Sequence, residues 1–401
     1  MSVLDGYRVI DLTAYVAGPF ASQQLADLGA DVIKVEPPRG DETRLKGHST
    51  SGELGPTFLN LNRNKRSIVL DLKSDAGRRH LIDLVTGADV FLHNLRLPAV
   101  ERLHATYDEL RAANDDLVYC QIVGFGSNGP YAGRPAFDDV IQGVSGFAAT
   151  QGVFSGRPTY TAFPMMDYIA GLFAAQSVVA ALLHRERTGR GQLVEVPMLE
   201  AGIAVTLPNN LWQRTHDPAG DLGYPRNLSP DRRPFATRDG WFCVVMSTDE
   251  HFTRFFRGVD RPDLADDARF VTNPGRATEA TLLHQTLAEI FARRTTAEWS
   301  AIIDHLDLPG MPLNTMDELF DDPHLRAVDL FRTIDHPAEG QLTAIAPPIR
   351  YSDSPTSIRR HAPLLGEHTG EVLEELGATD EASSGQDGVA RISETHRQEE
   401  R

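Results

Sequence analysis

The sequence predicts an α/β protein, with a Rossmann-like large domain built on a parallel sheet and a smaller α+β domain after it. Three observations carry this. Strand-like and helix-like segments alternate through the first half of the chain. The strand-like runs are continuous in Val, Ile and Leu, as expected of a sheet covered on both faces. Beyond residue 206 the rhythm gives way to a connector rich in Pro, Asn, Asp and Arg, then to a unit dominated by helices.

"YRVIDLT" opens the pattern as a strand, followed by "GPFASQQLADLGA" as a helix closing on Gly29 and by "DVIKVEPP" as the next strand. "RSIVLDLK" reads as a strand. "SDAGRRHLIDLVTGA" reads as a helix with Ser74 as its N-cap, because a short hydroxyl side chain satisfies the free amides of a first turn. "DVFLHNL" (strand), "TYDELRAAN" (helix) and "LVYCQIVGF" (strand) continue the alternation. The expected layout is a large domain over 1–206, a linker over 207–239, a small domain over 240–330 and a return to the large domain over 331–378. The segment 379–401 carries six acids and three arginines among few apolar residues, and is expected to be a disordered acidic tail. There is no internal repeat.

A chain of 401 residues with 41% hydrophobic and 24% charged residues is long enough for two globular domains. Its net charge of −17 would repel a phosphate backbone, so a nucleic-acid partner is not expected. Cys120 and Cys243 lie in apolar strand-like runs and read as two buried structural thiols. The first residues, "MSVLDGYRVIDLT", lack the order of a signal peptide, and the apolar run Ile169–Leu183 is short for a span. The expectation is a cytoplasmic protein without a membrane partner.

Several motifs invite chemistry. "GFGSNG" (Gly124 to Gly129) fits G-x-G-x-x-G after a strand, but Pro130 blocks the helix that would hold a pyrophosphate, so a plain glycine loop is the better reading. Basic residues are dense early on: Arg39, Arg44, Lys46, Arg63, Lys65, Arg66 and Lys73, with Arg96, Arg102 and Arg134 near later strand or loop ends. Beyond the carboxyl ends of parallel strands they would receive an anion with several phosphates. Composition alone favours solvated side chains and local ion pairs. Asp167 heads the apolar stretch "FPMMDYIAGLFAAQSVVAALL", with no further Asp, Glu, Lys or Arg until Arg185. An N-cap in the field of the helix dipole is one reading. The other is a nucleophile, with room beside it at Ala170 and Gly171 and a dry surround of Phe163, Met165, Met166 and Tyr168. No H-E-x-x-H, paired C-x-x-C or G-x-S-x-G supports a zinc or serine hydrolase.

Five longer stretches resemble the class III CoA-transferase family (CaiB/BaiF), relatives of formyl-CoA transferase and carnitinyl-CoA transferase. They are "GYRVIDLTAYVAGPFASQQLADLGADVIKVEPPRGD", "FLNLNRNKRSIVLDLKS", "LVYCQIVGFGSNGPYAGRPAFDDVIQGVSG", "LLHRERTGRGQLVEVPMLEA" and "HAPLLGEHTGEVLEELG". The resemblance implies that an Asp at the position of Asp167 attacks an acyl-CoA thioester. An acyl-aspartyl anhydride and then an aspartyl-CoA thioester follow, before CoA passes to a free acid. It implies CoA contacts at Val16 and Ala17, Arg39, Leu70, Asp71, Leu72 and Lys73, Asn94, Leu95 and Arg96, Arg102, and from Arg134 to Phe137. It also implies CoA as substrate, no metal, no permanently bound cofactor, and an interlocked homodimer. Two departures bear on specificity. The glutamine of formyl-CoA transferase after the first strand aligns with Val16, and its glycine run in the small domain is missing around "SPDRRPFATRDGW". The related acyl-CoA racemases place a His where "AFDD" has Phe137, and a two-base racemase needs that second group. An acyl-CoA racemase or epimerase, and a CoA-binding protein without turnover, are the alternative readings.

Overall fold

The computed structural model describes residues 1–377; the segment 379–401, expected as a disordered tail, lies outside them. Six strands form one sheet: β1 (Arg8–Leu12), β2 (Asp31–Glu36), β3 (Lys65–Val69), β4 (Val90–His93), β5 (Val118–Val123) and β6 (Leu193–Pro197). Their order is β3-β2-β1-β4-β5-β6, and every pairing is parallel. Ile10 at the centre of β1 lies opposite Ile33 of β2 and Phe91 of β4.

Successive residues of β1, β2, β4 and β5 enter different cores. Val9, Val32, Val90 and Leu92 pack with the first helix, Ala17–Asp27, and the long helix Met165–Thr188. Ile10, Ile33, Phe91 and Tyr119 pack on the other face with Leu81 and Leu84 of the helix Asp75–Thr86. Covering both faces is why the strands read as unbroken apolar runs. Ser74 caps the helix Asp75–Thr86, its hydroxyl accepting from Gly77 N. The first helix turns out through Gly29 at φ +112, a conformation that costs glycine little.

The dense basic run "NRNKRS" is structural: its cations form ion pairs, the reading that composition favoured over an anion receptor. Arg63 pairs with Asp27 at 2.7 Å, Lys65 with Asp11 at 3.1 Å and Arg66 with Asp31 at 2.6 Å, and all three cations are buried. Arg44 is likewise buried, against Glu36 at 2.7 Å. Burial pushes the Lys65 ammonium down to about 8 despite Asp11 beside it. Burial also opposes ionisation of Asp11, but Lys65 and Lys34 hold its carboxyl below the usual range.

The small domain centres on Phe242, Phe255, Phe291 and Trp299, with Phe291 and Trp299 ring centroids 4.2 Å apart. Its antiparallel strands are β7 (Phe235–Ala236), β8 (Trp241–Val244) and β9 (Gly310–Pro312). β7 and two short helical turns fall inside the 207–239 connector. Cys120 is buried but Cys243 is only half-buried, which corrects the expectation of two buried thiols; both are free. A hairpin, β10 (Phe331–His336) and β11 (Gly340–Ile345), precedes the helix Thr369–Glu375. That helix docks on β3, where His368 N donates to Ser67 O at 2.9 Å and Val372 joins the core around Ile68. The helix Met165–Thr188 is long and apolar enough to cross a membrane by length and composition. Its buried face packs against the first helix, β5 and β6.

Candidate active site

The strand order reverses between β1 and β4, and in open α/β sheets that reversal opens a crevice beyond the carboxyl ends of the strands. Every CoA-contact position named above follows such an end. Leaving β1, the chain makes a tight turn in which Tyr15 sits at φ +67, a costly conformation for a bulky residue. Neighbouring bonds hold it there. Asp11 Oδ1 accepts from Thr13 N at 2.9 Å and from Thr13 Oγ1 at 2.5 Å. Asn94, just past β4, accepts from Ala14 N at 2.9 Å and donates to Ala14 O at 2.7 Å. The Val16–Ala17 and Asn94–Arg96 segments are thereby locked side by side.

Leu70 to Lys73 follow β3, with Leu70 and Leu72 buried in the core and Asp71 and Lys73 exposed. Arg102 ends the short helix Leu97–Arg102 after β4. Arg134 to Phe137 lie beyond β5. Phe137 is 59% exposed, and its ring meets Tyr15 edge-on with centroids 5.4 Å apart, joining the loops after β1 and β5. Among the described residues Lys73, Arg96, Arg102 and Arg134 make no ion pair, whereas Arg39 pairs with Glu42 at 3.2 Å. These four cations follow β3, β4 and β5, on the carboxyl side of the sheet where open α/β proteins take their ligands. Among those residues no group of three or more His, Cys, Asp or Glu is arranged to hold a metal ion.

Asp167 is the third residue of the long helix, whose N-cap position is Pro164 with no side-chain cap. The capping role belongs to Asp138 instead: its Oδ1 accepts from Met166 N at 2.5 Å and from Asp167 N at 3.1 Å. This overturns the cap reading of Asp167 and leaves its carboxylate free. Burial first, and the charge of Asp138 second, push that carboxyl from 3.8 up to about 7. The room expected at Ala170 and Gly171 is filled: Ala170 is fully buried, and a Cβ on Gly171 would stand 2.7 Å from Ala17 O. Residues 167 and 171 share one helix face, so this close crossing sets Asp167 beside the start of the first helix. Of the expected dry surround, Met166 is buried, Met165 and Tyr168 are half-buried and Phe163 is exposed. The Tyr168 ring meets Phe20 of the first helix edge-on at 4.8 Å.

Asp138 and Tyr15 are the site residues that sequence reasoning misses. The signal for Asp138 was the acidic pair opening a helix in "AFDD"; nothing local marks Tyr15. The glycine loop is also accounted for. Glu200 accepts from Gly126 N at 3.0 Å and Glu195 from Ser127 N at 3.0 Å, so carboxylates of β6 and the next helix take the amides that a pyrophosphate would need.

Comparison with known proteins identifies the family and the fold. The model of CoA-transferase family III matches residues 4–369. The human succinyl-CoA:glutarate CoA-transferase is 31% identical, covering 98% of this chain and 91% of its own length. The succinate–glutarate CoA-transferase of Agrobacterium fabrum is 34% identical, covering 93% and 95%. The crystal structure of a CAIB/BAIF family protein from Brucella suis superposes with a TM-score of 0.79 at 32% identity, covering 94% of this chain and 99% of that one. With a family match over almost the whole described chain and the same fold in a solved relative, the chain belongs to CoA-transferase family III and is a class III CoA-transferase.

Proposed function

We propose that the protein moves CoA from an acyl-CoA donor to a free carboxylic acid through covalent intermediates on Asp167. The carrying observation is an uncapped, half-buried carboxylate, raised to about 7, where the long helix crosses the start of the first helix. A desolvated, more basic carboxylate is a better nucleophile. One Asp167 oxygen attacks the thioester carbonyl, the C–S bond breaks, and CoA thiolate leaves an acyl-aspartyl anhydride. The thiolate attacks the Asp167 carbonyl, the bond to the bridging oxygen breaks, and the donor acid departs, leaving an aspartyl-CoA thioester. An incoming carboxylate reverses both steps and departs as the new thioester. No step requires a proton transfer.

In this reading Lys73, Arg96, Arg102 and Arg134 receive the CoA phosphates, and the Val16–Ala17 and Asn94–Arg96 segments line the crevice that holds the cofactor as substrate. Arg39 is the weakest member of the set, being engaged with Glu42. The relatives named for succinyl-CoA, succinate and glutarate make dicarboxylic acids the first substrates to try. A cytoplasmic homodimer of interlocked chains completes the proposal. It is supported by Leu172 and Leu183, both half exposed on the long helix, and by exposed Val205. The test is incubation with acyl-CoA followed by hydroxylamine or borohydride, with peptide mass analysis. Modification is expected on the peptide containing Asp167. Turnover with that peptide unmodified would overturn the proposal.

A further inference from the structure

Asp138 does more than close a helix end. Its carboxylate takes three donors: the N–H groups of Met166 and Asp167, and the Gln142 side-chain amide. Asp138 and Gln142 are both buried. The Gln142 carbonyl accepts from Thr161 N at 2.9 Å, so its amide nitrogen must face Asp138. Three donors converge on this one carboxylate, and two of them are backbone N–H groups of the first turn that carries the candidate nucleophile.

Among the described residues neither Asp138 nor Asp167 forms an ion pair, and a cation at the adjoining loops is Lys46, whose Nζ stands 4.9 Å over the ring of Tyr15, itself packed on Phe137. The elements packed against the long helix are the first helix, β5, β6, and the helices Asp138–Val144 and Met198–Thr206; none of the five carries Lys or Arg. Their ionisable groups besides Asp138 are Asp27 (closed by Arg63), Tyr119, Cys120, Glu195 and Glu200 (spent on Gln121 and the glycine loop), and Asp139, which is exposed. Tyr168 lies beside Asp167 on the helix itself. Every acid among them adds negative charge or none.

We propose that Asp138 is a positioning residue that also decides which way the anhydride breaks. This rests on the aspartyl mechanism above. The mixed anhydride offers the thiolate two carbonyls. Attack at the acyl carbonyl expels Asp167 and returns the donor; attack at the Asp167 carbonyl expels the donor acid and goes forward. The less basic carboxylate is the better leaving group. An anion held against Asp167 makes it the more basic of the two, so the donor acid leaves and CoA is retained on the enzyme. The same anion, by taking the first-turn amides, prevents Asp167 from folding back onto its own helix end. The raised carboxyl of Asp167 agrees with this arrangement.

The experiment compares wild type with Asp138→Asn and Asp138→Ser, both neutral and each keeping a side-chain oxygen that can accept. One readout is the acid limb of the kcat/KM pH profile. The other is a single turnover with donor acyl-CoA alone, quenched with hydroxylamine, giving the ratio of trapped aspartyl thioester to returned donor. Wild type should show a limb near pH 7. Both variants should move it down by at least about one pH unit, a tenfold change in ionisation, and should trap less aspartyl thioester. A purely structural cap predicts an unmoved limb and an unchanged ratio in either variant, which would overturn the proposal. So would a wild-type limb in the ordinary carboxylate range, a result that requires no variant to fold. An active Asp167→Asn enzyme would instead sink the aspartyl mechanism itself; an inactive one beside an unmoved Asp138→Asn limb removes only the role of Asp138.

Discussion

Asp167→Asn separates chemistry from architecture because the two respond in opposite directions. Asn keeps the volume and the backbone, and the first-turn amides stay with Asp138. What disappears is a carboxylate whose ionisation the fold opposes, shifted from 3.8 to about 7. The sign follows from proton binding. Below pH 4 the group is protonated in both folded and unfolded chains and contributes nothing. Between about 4 and 7 the folded chain holds the proton more tightly, so stability falls as pH rises, and above 7 the full penalty is present. At ~1.4 kcal/mol per pH unit the ceiling is about 4 kcal/mol. Solvent reaching the half-buried group, and the helix-dipole attraction of about 0.3–1 kcal/mol lost with the charge, reduce it to about 1–3 kcal/mol. Asp167→Asn should therefore melt a few degrees above wild type at pH 8 and level with it at pH 4, while transferase activity falls by orders of magnitude. Melting scans across pH, run beside a CoA-transfer assay, provide the check. Equal melting temperatures at pH 8 would refute the argument that Asp167 is a strained, desolvated anion; retained activity would refute its covalent role.

Lys73→Ala and Arg102→Ala should each weaken CoA binding by roughly tenfold, the worth of a hydrogen bond between charged groups, with a smaller loss at high salt; unchanged calorimetric affinity in both removes them from the site. Lys65→Met leaves Asp11 buried without its nearest cation and should cost about 3–5 kcal/mol in denaturant unfolding; a loss below about 1 kcal/mol would show that Lys34 alone suffices. Because Phe137 supplies an exposed ring where a second base is needed, a 2-methylacyl-CoA incubated in D2O without an acceptor should keep its α-proton. Rapid deuterium uptake would restore the racemase reading.

What could be read in the sequence was what local composition records. A strand buried on both faces must be apolar at every position, so the runs around Val9, Val32, Val90 and Val118 announced a covered parallel sheet before any pairing was known. Ser74 could be named as a cap because capping is settled within four residues. Asp167 could be marked as unusual, an acid heading an apolar helix, and the family resemblance supplied a role for it.

Only tertiary structure could decide which acid does what. The amides ahead of Asp167 go to a carboxylate 29 residues earlier in the chain, reached through the crossing of two helices, and no window of sequence shows that. The basic residues divide the same way. Arg63, Lys65 and Arg66 meet Asp27, Asp11 and Asp31 because the order and register of the strands bring those acids to them. Lys73, Arg96 and Arg102, in the segments that follow β3 and β4, make no ion pair among the described residues. Charge type is written locally, but its partner is set by long-range pairing, and the partner determines whether a charge supports the fold or is free to bind a substrate.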